Sequence, residues 1–367
     1  MPPVALSASQ VLALRLRAQL LAGPRPRGVA EAVRSVGALQ AQSTAAVRMA
    51  VRVRTQGTTS EEFDVALTGE RTIVRTWLMR GTIHLVAAED VGWMTELVGP
   101  TVRASYRRRR EQLGLTDELC DGALAALPLV LAGGVPIRIS QVIARLADVG
   151  VAIDSTAQAP THLMMLAATH GVVCRGPEAG REPTFVRTDE WVAPGLRLDR
   201  DEALARLARL YLAGRGPSGV RDFATWSGLP AADCRSAFDL LAPDLIEIDA
   251  AGTRMVALAD LDRTPPPQTP ARLLGLWDEY LLSYRTRELI LDAGFADRVL
   301  VGGVIQSVVL VDGRVAGVWR LHPTGLHRRL VVEPWVTVSA ATTRAIEREA
   351  RDAGRFLDAD VDVVMAT

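Results

Sequence analysis

Lysine is absent from this chain of 367 residues: all 42 basic side chains are arginine, set against 42 acidic ones. With no side-chain amine, imine chemistry is excluded everywhere except at the N-terminal amine. Net neutrality also excludes a globally basic nucleic-acid binder, so any such surface has to be a local patch. Arginine suits a patch of that kind, because the guanidinium stays charged and contacts phosphate bidentately.

Cysteine is scarce as well. Cys120, Cys174 and Cys234 lie far apart and in no Cys-x-x-Cys arrangement, which argues against a disulfide framework or a zinc site. Of the five histidines, His162 and His170 are eight apart, and His322 and His327 flank a Pro/Gly-containing turn. No metal motif stands out and no cofactor is expected. No stretch approaches the roughly 18–20 uninterrupted apolar residues of a membrane span. The opening MPPVALSASQ has neither the basic region nor the apolar run of a signal peptide. We therefore expect a cytoplasmic protein that makes no membrane contact.

What is present is a repeated order of helices followed by hairpins. Apolar residues recur at helical spacing over 9–22, 28–39 and 43–54, the last behind a Ser/Thr cap. A further helical piece at 59–69 precedes Thr72–Val86, which reads as two strands folded about Arg80-Gly81, a wing. The basic helix 100–113 carries the run Arg107–Arg110, and another helix covers 116–132. Four consecutive arginines cannot share one helix face, so a solvated surface weighs equally with phosphate contact. Helices at 136–149 and 158–170 precede a second hairpin, 171–175 with 184–187. Helices at 199–213, 218–227 and 230–241 precede a third, 245–248 with 253–257. The run 263–270 has four prolines in eight residues and marks a boundary. Beyond it the chain turns β-rich: 306–311, the Asp312-Gly313 turn, and 314–320, then a strand at 327–333 and a helix at 339–353.

The fold class expected is α+β, mainly helical. It comprises three tandem winged-helix units (1–115, 116–195 and 196–262) and a C-terminal β-rich part (271–367). The segment Leu39-Gln40-Ala41-Gln42 stands where a helical pattern breaks. In an extended stretch Gln40 and Gln42 point the same way, and two neutral amides, each both donor and acceptor, can orient one water. The plain alternative is a pair of solvated or capping side chains at a helix end.

GALQAQS (37–43), WLMRGTIHLV (77–86), WDEYLLSYRTRELILD (277–292) and VVLVDGRVAGVWR (308–320), in this order, resemble the AlkZ/YcaQ-like winged-helix DNA glycosylases. The resemblance implies a C-shaped concave DNA-binding surface and a catalytic Gln-Φ-Gln motif. That motif belongs to the branch that unhooks interstrand cross-links of azinomycin-type alkylators; the YcaQ branch carries Gln-Φ-Asp. Gln42 points to the first branch, and Ala41 is small for the Φ position.

On this reading Gln40 and Gln42 are catalytic. The DNA contacts are Arg80 and His84 of the first wing and the Asp312-Gly313 hairpin as a probe, with Arg314 at its tip and Arg320 following Trp319. Thr76 and Thr82 can also reach phosphate, although His84 reads better as a buried structural residue and Trp319 alternatively as core. Asp278 and Glu279 read as scaffold, paired with Arg285 or Arg287. The implied partner is double-stranded DNA bearing N7-alkylpurine adducts or cross-links, met by a monomer in DNA repair or antibiotic self-resistance. The alternative is a non-catalytic winged-helix regulator or lesion-binding protein; a protein-binding scaffold is a third.

Overall fold

The computed structural model describes residues 2–250, 252–264, 271–324 and 327–366; most of the proline-rich run lies outside them. Strand β1 (Val4–Leu6) leads into α1 (Ala8–Ala18), where Ser7 and Gln10 form a reciprocal capping box. Helix α2 (Val29–Val36) buries Val29, Ala32, Val33 and Val36, the stripe of a core-facing helix. Strand β2 (Leu39–Gln40) separates it from α3 (Thr44–Arg54), which Ser43 caps. After α4 (Ser60–Asp64) and a π-helical turn to Gly69, β3 (Ile73–Trp77) and β4 (Ile83–Ala87) form the first wing.

The order then recurs. Helices α5 (Val91–Ser105), α6 (Arg107–Gln112) and α7 (Asp117–Val130) precede β5 (Ile137–Arg138), α8 (Ile139–Asp148) and α9 (Ala159–Thr169). The second hairpin, β6 (Val173–Arg175) and β7 (Thr184–Arg187), runs into α10 (Thr188–Trp191). The two wings are not separate, however. They merge into one six-stranded sheet, β2-β4-β3-β6-β7-β5, joined antiparallel at Arg75 and Arg175, so that each wing covers an edge the other would leave exposed.

Helices α11 (Arg200–Arg215), α12 (Val220–Ser227) and α13 (Ala231–Leu241) carry the third hairpin, β8 (Leu245–Ala250) and β9 (Thr253–Leu258). Strand β1 adds to it parallel to β8, closing the N-terminus onto the third set of elements.

The C-terminal part contains β10 (Arg272–Leu274), α14 (Glu279–Leu282), α15 (Ala296–Val299) and a small hairpin of β11 (Leu300–Val301) and β12 (Val304–Ile305). Then come β13 (Val308–Val311), β14 (Arg314–Thr324), β15 (His327–Pro334), α16 (Ala340–Leu357) and β16 (Asp360–Met365). Its sheet has the order β10-β13-β14-β15-β16, and β16 returns parallel to β15 behind α16. The whole is a mixed α and β fold, 49% helix and 21% strand, in which this sheet curls into a half-barrel.

The Asp312-Gly313 turn has positive φ at both residues (49° and 77°), as a two-residue hairpin turn requires. It does not project. A Cβ on Gly313 would lie 2.6 Å from the Leu16 side chain of α1, and the Gly313 carbonyl accepts the Tyr280 hydroxyl at 3.0 Å. Trp319 is core, 6% exposed, with its indole N–H donating to the Leu274 carbonyl at 2.7 Å. The longest hairpin is instead β14–β15, paired from Gly317–Pro334 out to Thr324–His327; Val318, Trp319, Leu330 and Val332 are buried, and Arg320, His322, His327 and Arg329 are exposed.

One buried ion pair locks α3 to this part. Arg54 donates to both carboxylate oxygens of Asp278 at 2.7 and 2.8 Å, and both side chains are fully buried. Truncating one partner strands the other charge in the interior. Asp278→Ala is expected to lower the unfolding free energy in urea titrations by about 3–5 kcal/mol, and Arg54→Met with Asp278→Leu to recover most of that loss.

Candidate active site

The glutamine motif is an extended stretch stapled to β4. Gln40 pairs with His84 across the ladder, and the Ala41 N–H donates to the Ile83 carbonyl at 2.7 Å. Ala41 points into the core at 0% exposure; Gln40 and Gln42 point the other way, half-buried and exposed. A larger Φ residue is not needed to seal the core here.

Both amides are held in one orientation. The Gln40 Oε1 accepts the backbone N–H of Gln42 at 2.8 Å, and the Gln42 Oε1 accepts the backbone N–H of Ile83 at 3.3 Å. An NH2 group cannot accept, so only this orientation satisfies the backbone donors. Each oxygen keeps one lone pair, and neither NH2 group has a hydrogen-bond partner among the described residues. The pair therefore offers donors and acceptors to one water without a net charge.

Behind the motif lies a fully buried carboxylate. Glu279 accepts the Gln40 N–H at 3.0 Å on one oxygen and the Trp226 indole N–H at 2.8 Å on the other. Arg215 stands 3.3 Å from that second oxygen, and both charged side chains are 0% exposed. Burial opposes its ionisation, but Arg215 first, with Arg80 and the Trp226 indole N–H, outweighs it and holds the carboxyl below its ordinary range. Arg215 also donates to the carbonyls of Val36 and Ala38, fixing the chain that enters the motif.

The wing residues proposed as DNA contacts turn inward. Arg80, at φ 58°, folds under α12 and donates to the Trp226 carbonyl. Gly81 is required beside it, since a Cβ there would sit 2.4 Å from the Tyr106 ring. His84 is fully buried. Its Nδ1 lies 3.0 Å from the Thr82 carbonyl and so carries the proton of the neutral ring, while Nε2 has no partner among the described residues. Burial depresses its pKa to about 4.

Other expectations move too. Asp278 and Glu279 pair with Arg54 and Arg215, whereas the side chain of Arg287 donates to the Leu281 carbonyl and the backbone N–H of Arg285 to Asp222. Within the arginine run, Arg107 pairs with Glu111 and Asp117, Arg109 reaches Gln158, and Arg110 is buried against the Arg103 carbonyl. On the C-terminal sheet Arg314 is exposed but turned onto the Leu289 carbonyl, and Arg320 is exposed beside Glu333. On the Ala41 side of the motif, Arg75 donates to the Ala41 carbonyl at 3.0 Å and to Glu178, which the Thr44 hydroxyl also reaches. Sequence patterning missed Arg75 because β3 is buried at every position and shows no alternation to read, and missed Glu178 and Arg215 because their partners lie far away along the chain.

The sequence profile of the family described as DNA glycosylase AlkZ-like matches residues 33–356. The chain belongs to this family. A Streptomyces sahachiroi protein described as an interstrand DNA cross-link repair glycosylase is 28% identical over 366 residues, covering 94% of this chain and 95% of its own. The solved structure of Streptomyces sahachiroi DNA glycosylase AlkZ superposes with a TM-score of 0.83 at 24% identity, over 99% of this chain and 100% of that one; it is the fold that this likeness shows.

In this AlkZ-like glycosylase, His84 makes stability pH-dependent. Its folded pKa of about 4 lies below the ordinary 6.5, so below about 6.5 the unfolded chain takes up a proton that the folded ring refuses. The stability is complete above that pH and is lost as pH falls toward about 4, by about 3 kcal/mol. His84→Gln is expected to remove this slope, read as the wild-type minus variant difference in urea denaturation from pH 7 down to about 4.

Proposed function

We propose that this enzyme hydrolyses the N-glycosidic bond of N7-alkylated purines in duplex DNA and unhooks interstrand cross-links joined through such bases. The observation that carries the proposal is the amide pair of Gln40 and Gln42, oriented by backbone donors and with NH2 groups that have no partner among the described residues. The likeness to a protein described as an interstrand DNA cross-link repair glycosylase supports the substrate.

The chemistry matches neutral groups. Alkylation at N7 makes the base cationic, so it leaves as a neutral molecule and needs little acid catalysis. The remaining tasks are to place water at C1′ and to stabilise an oxocarbenium-like sugar, which positioning and preorganised dipoles accomplish. The step balances: water adds its hydroxyl to C1′, the cationic base departs as a neutral molecule with the bonding electron pair, and the remaining proton of the water passes to solvent. Without lysine, no side chain forms a Schiff base with the abasic sugar, and the activity is monofunctional.

A nucleotide tied to the opposite strand cannot rotate into a closed pocket. On this reading the units 1–115, 116–195 and 196–262 and the closing part 271–367 wrap one duplex along an open concave face. The β14–β15 ribbon, which carries the exposed residues Arg320, His322 and Arg329, probes a groove in place of the docked Asp312-Gly313 turn.

The test is single-turnover release of base from DNA with a defined N7-guanine adduct and from a cross-linked duplex. Wild type is expected to release base from both. Gln40→Ala with Gln42→Ala is expected to slow release by about a hundredfold or more, with DNA affinity within about threefold of wild type. Binding without release on both substrates would instead identify a lesion-binding protein.

A further inference from the structure

The charges of the chain balance one for one, but they are not evenly spread. Four arginines from four separate segments line one cavity of about 550 Å³: Arg15 of α1, Arg221 at the start of α12, Arg254 of β9 and Arg285 just beyond α14. Two carboxylates, Asp222 and Glu288, line it with them. The cavity lies away from the glutamine motif, where α1, the third hairpin and the C-terminal part meet.

Arg15 is the buried member of the set. It is 3% exposed, lies over the Tyr284 ring at 3.9 Å, and donates through Nε to the Pro217 carbonyl at 2.9 Å. One of its terminal nitrogens meets Met255 Sδ at 3.7 Å, a weak acceptor. The other has no hydrogen-bond partner, and the side chain no ion-pair partner, among the described residues. A buried guanidinium with donors left over, on the wall of an open cavity, is short of an acceptor.

A helix end supplies further donors to the same space. Gly219, at the N-cap of α12, has no side chain with which to cap it. The N–H groups of Val220 and Arg221 have no acceptor among the described residues, and the stretch Gly219 to Asp222 lines the cavity. Unmet N–H groups and the positive end of the helix dipole favour an anion there. Asp222 is not that anion. Its Oδ2 accepts the Gly219 N–H and the Ser218 hydroxyl, and its Oδ1 accepts the Arg285 N–H, so the carboxylate is used in tying the two walls of the cavity together. At the rim, Arg221 and Arg285 are exposed, with no side-chain partner among the described residues, and Arg254 has only Glu247, at 3.9 Å.

Donors from this many segments exceed what the two oxygens of a carboxylate can answer. A phosphate group offers three acceptor oxygens and up to two charges, and guanidiniums and helix N-termini both suit it. We infer that the cavity is a binding site for a phosphate group, held between Arg15 and the N-terminus of α12 with Arg221 and Arg285 at the rim. The phosphate comes either from a DNA backbone or from a free phosphate compound; the first source rests on the duplex-binding reading above, and the second does not.

The experiment uses the full chain. Its melting temperature is followed as inorganic phosphate replaces chloride at constant ionic strength, its affinity for an undamaged duplex is measured over a salt series, and base release is scored separately. Phosphate is expected to raise the melting temperature of wild type by about 1–3 °C at ten times its dissociation constant. Arg15→Met is expected to abolish the rise. Because that variant also loses the Pro217 contact, Arg221→Ala with Arg285→Ala carries the same test at the exposed rim and is expected to cut the rise at least by half. Glu288→Gln, which removes a competing carboxylate from the cavity wall, is expected to enlarge it. No rise in wild type, a rise undiminished in the rim variant, or a smaller rise in Glu288→Gln would each overturn the inference. The duplex names the source: a rim variant that binds it about three- to tenfold more weakly, with the slope of log K against log salt reduced by about one or more, assigns the site to the DNA backbone, whereas unchanged duplex affinity beside a lost phosphate response assigns it to a free phosphate compound. Duplex binding by wild type without base release contradicts the glycosylase reading and leaves the phosphate site standing.

Discussion

Glu279 and Arg215 form a fully buried ion pair, and the strand that carries the glutamine motif is built upon it. Two charges taken from water into the interior gain little net stability. What they supply here is direction. Glu279 accepts the backbone N–H of Gln40 and the Trp226 indole, while Arg215 holds the carbonyls at Val36 and Ala38. The chain on both sides of Leu39 is thus fixed by groups drawn from the third set of helices and from the C-terminal part. Neither partner can shift without leaving the other unpaired at low dielectric, so the geometry is nearly all-or-none.

From that anchor the exposed chemistry follows. With the backbone of β2 held from behind and Ala41 stapled to β4, the two amide oxygens meet backbone donors, and neither NH2 group has a partner among the described residues. A carboxylate in the same place would be a stronger base, but it would also repel the phosphates that must approach. On the proposed chemistry neutral amides avoid that repulsion, and a cationic leaving base makes the weaker activation of water sufficient.

Much of this was legible in the sequence, for physical reasons. The helices announce themselves through their apolar stripes and their Ser7, Ser43 and Thr59 caps, and the Asp312-Gly313 turn through its residue types. The outward alternation of Gln40 and Gln42 around Ala41 follows from an extended backbone. What stayed hidden were contacts set by tertiary closure. Nothing local marks Arg54 and Arg215 as the partners of Asp278 and Glu279, since the pairs are far apart in sequence. The burial of Arg80 beneath α12, and the docking of Gly313 on Leu16, depend on how distant elements pack. The fusion of two wings into one sheet was equally invisible, because β3 carries no period-2 signal when both of its faces are covered.

The central claim is that Glu279 acts on catalysis through Gln40. A double-mutant cycle on single-turnover base release, using Glu279→Gln and Gln40→Ala in variants shown by circular dichroism to be folded, tests it most directly. Glu279→Gln alone should slow release while leaving DNA affinity near that of wild type, and the double variant should be no slower than Gln40→Ala alone. Independent, multiplicative losses in the double variant, or an undiminished rate in a folded Glu279→Gln enzyme, would contradict the account.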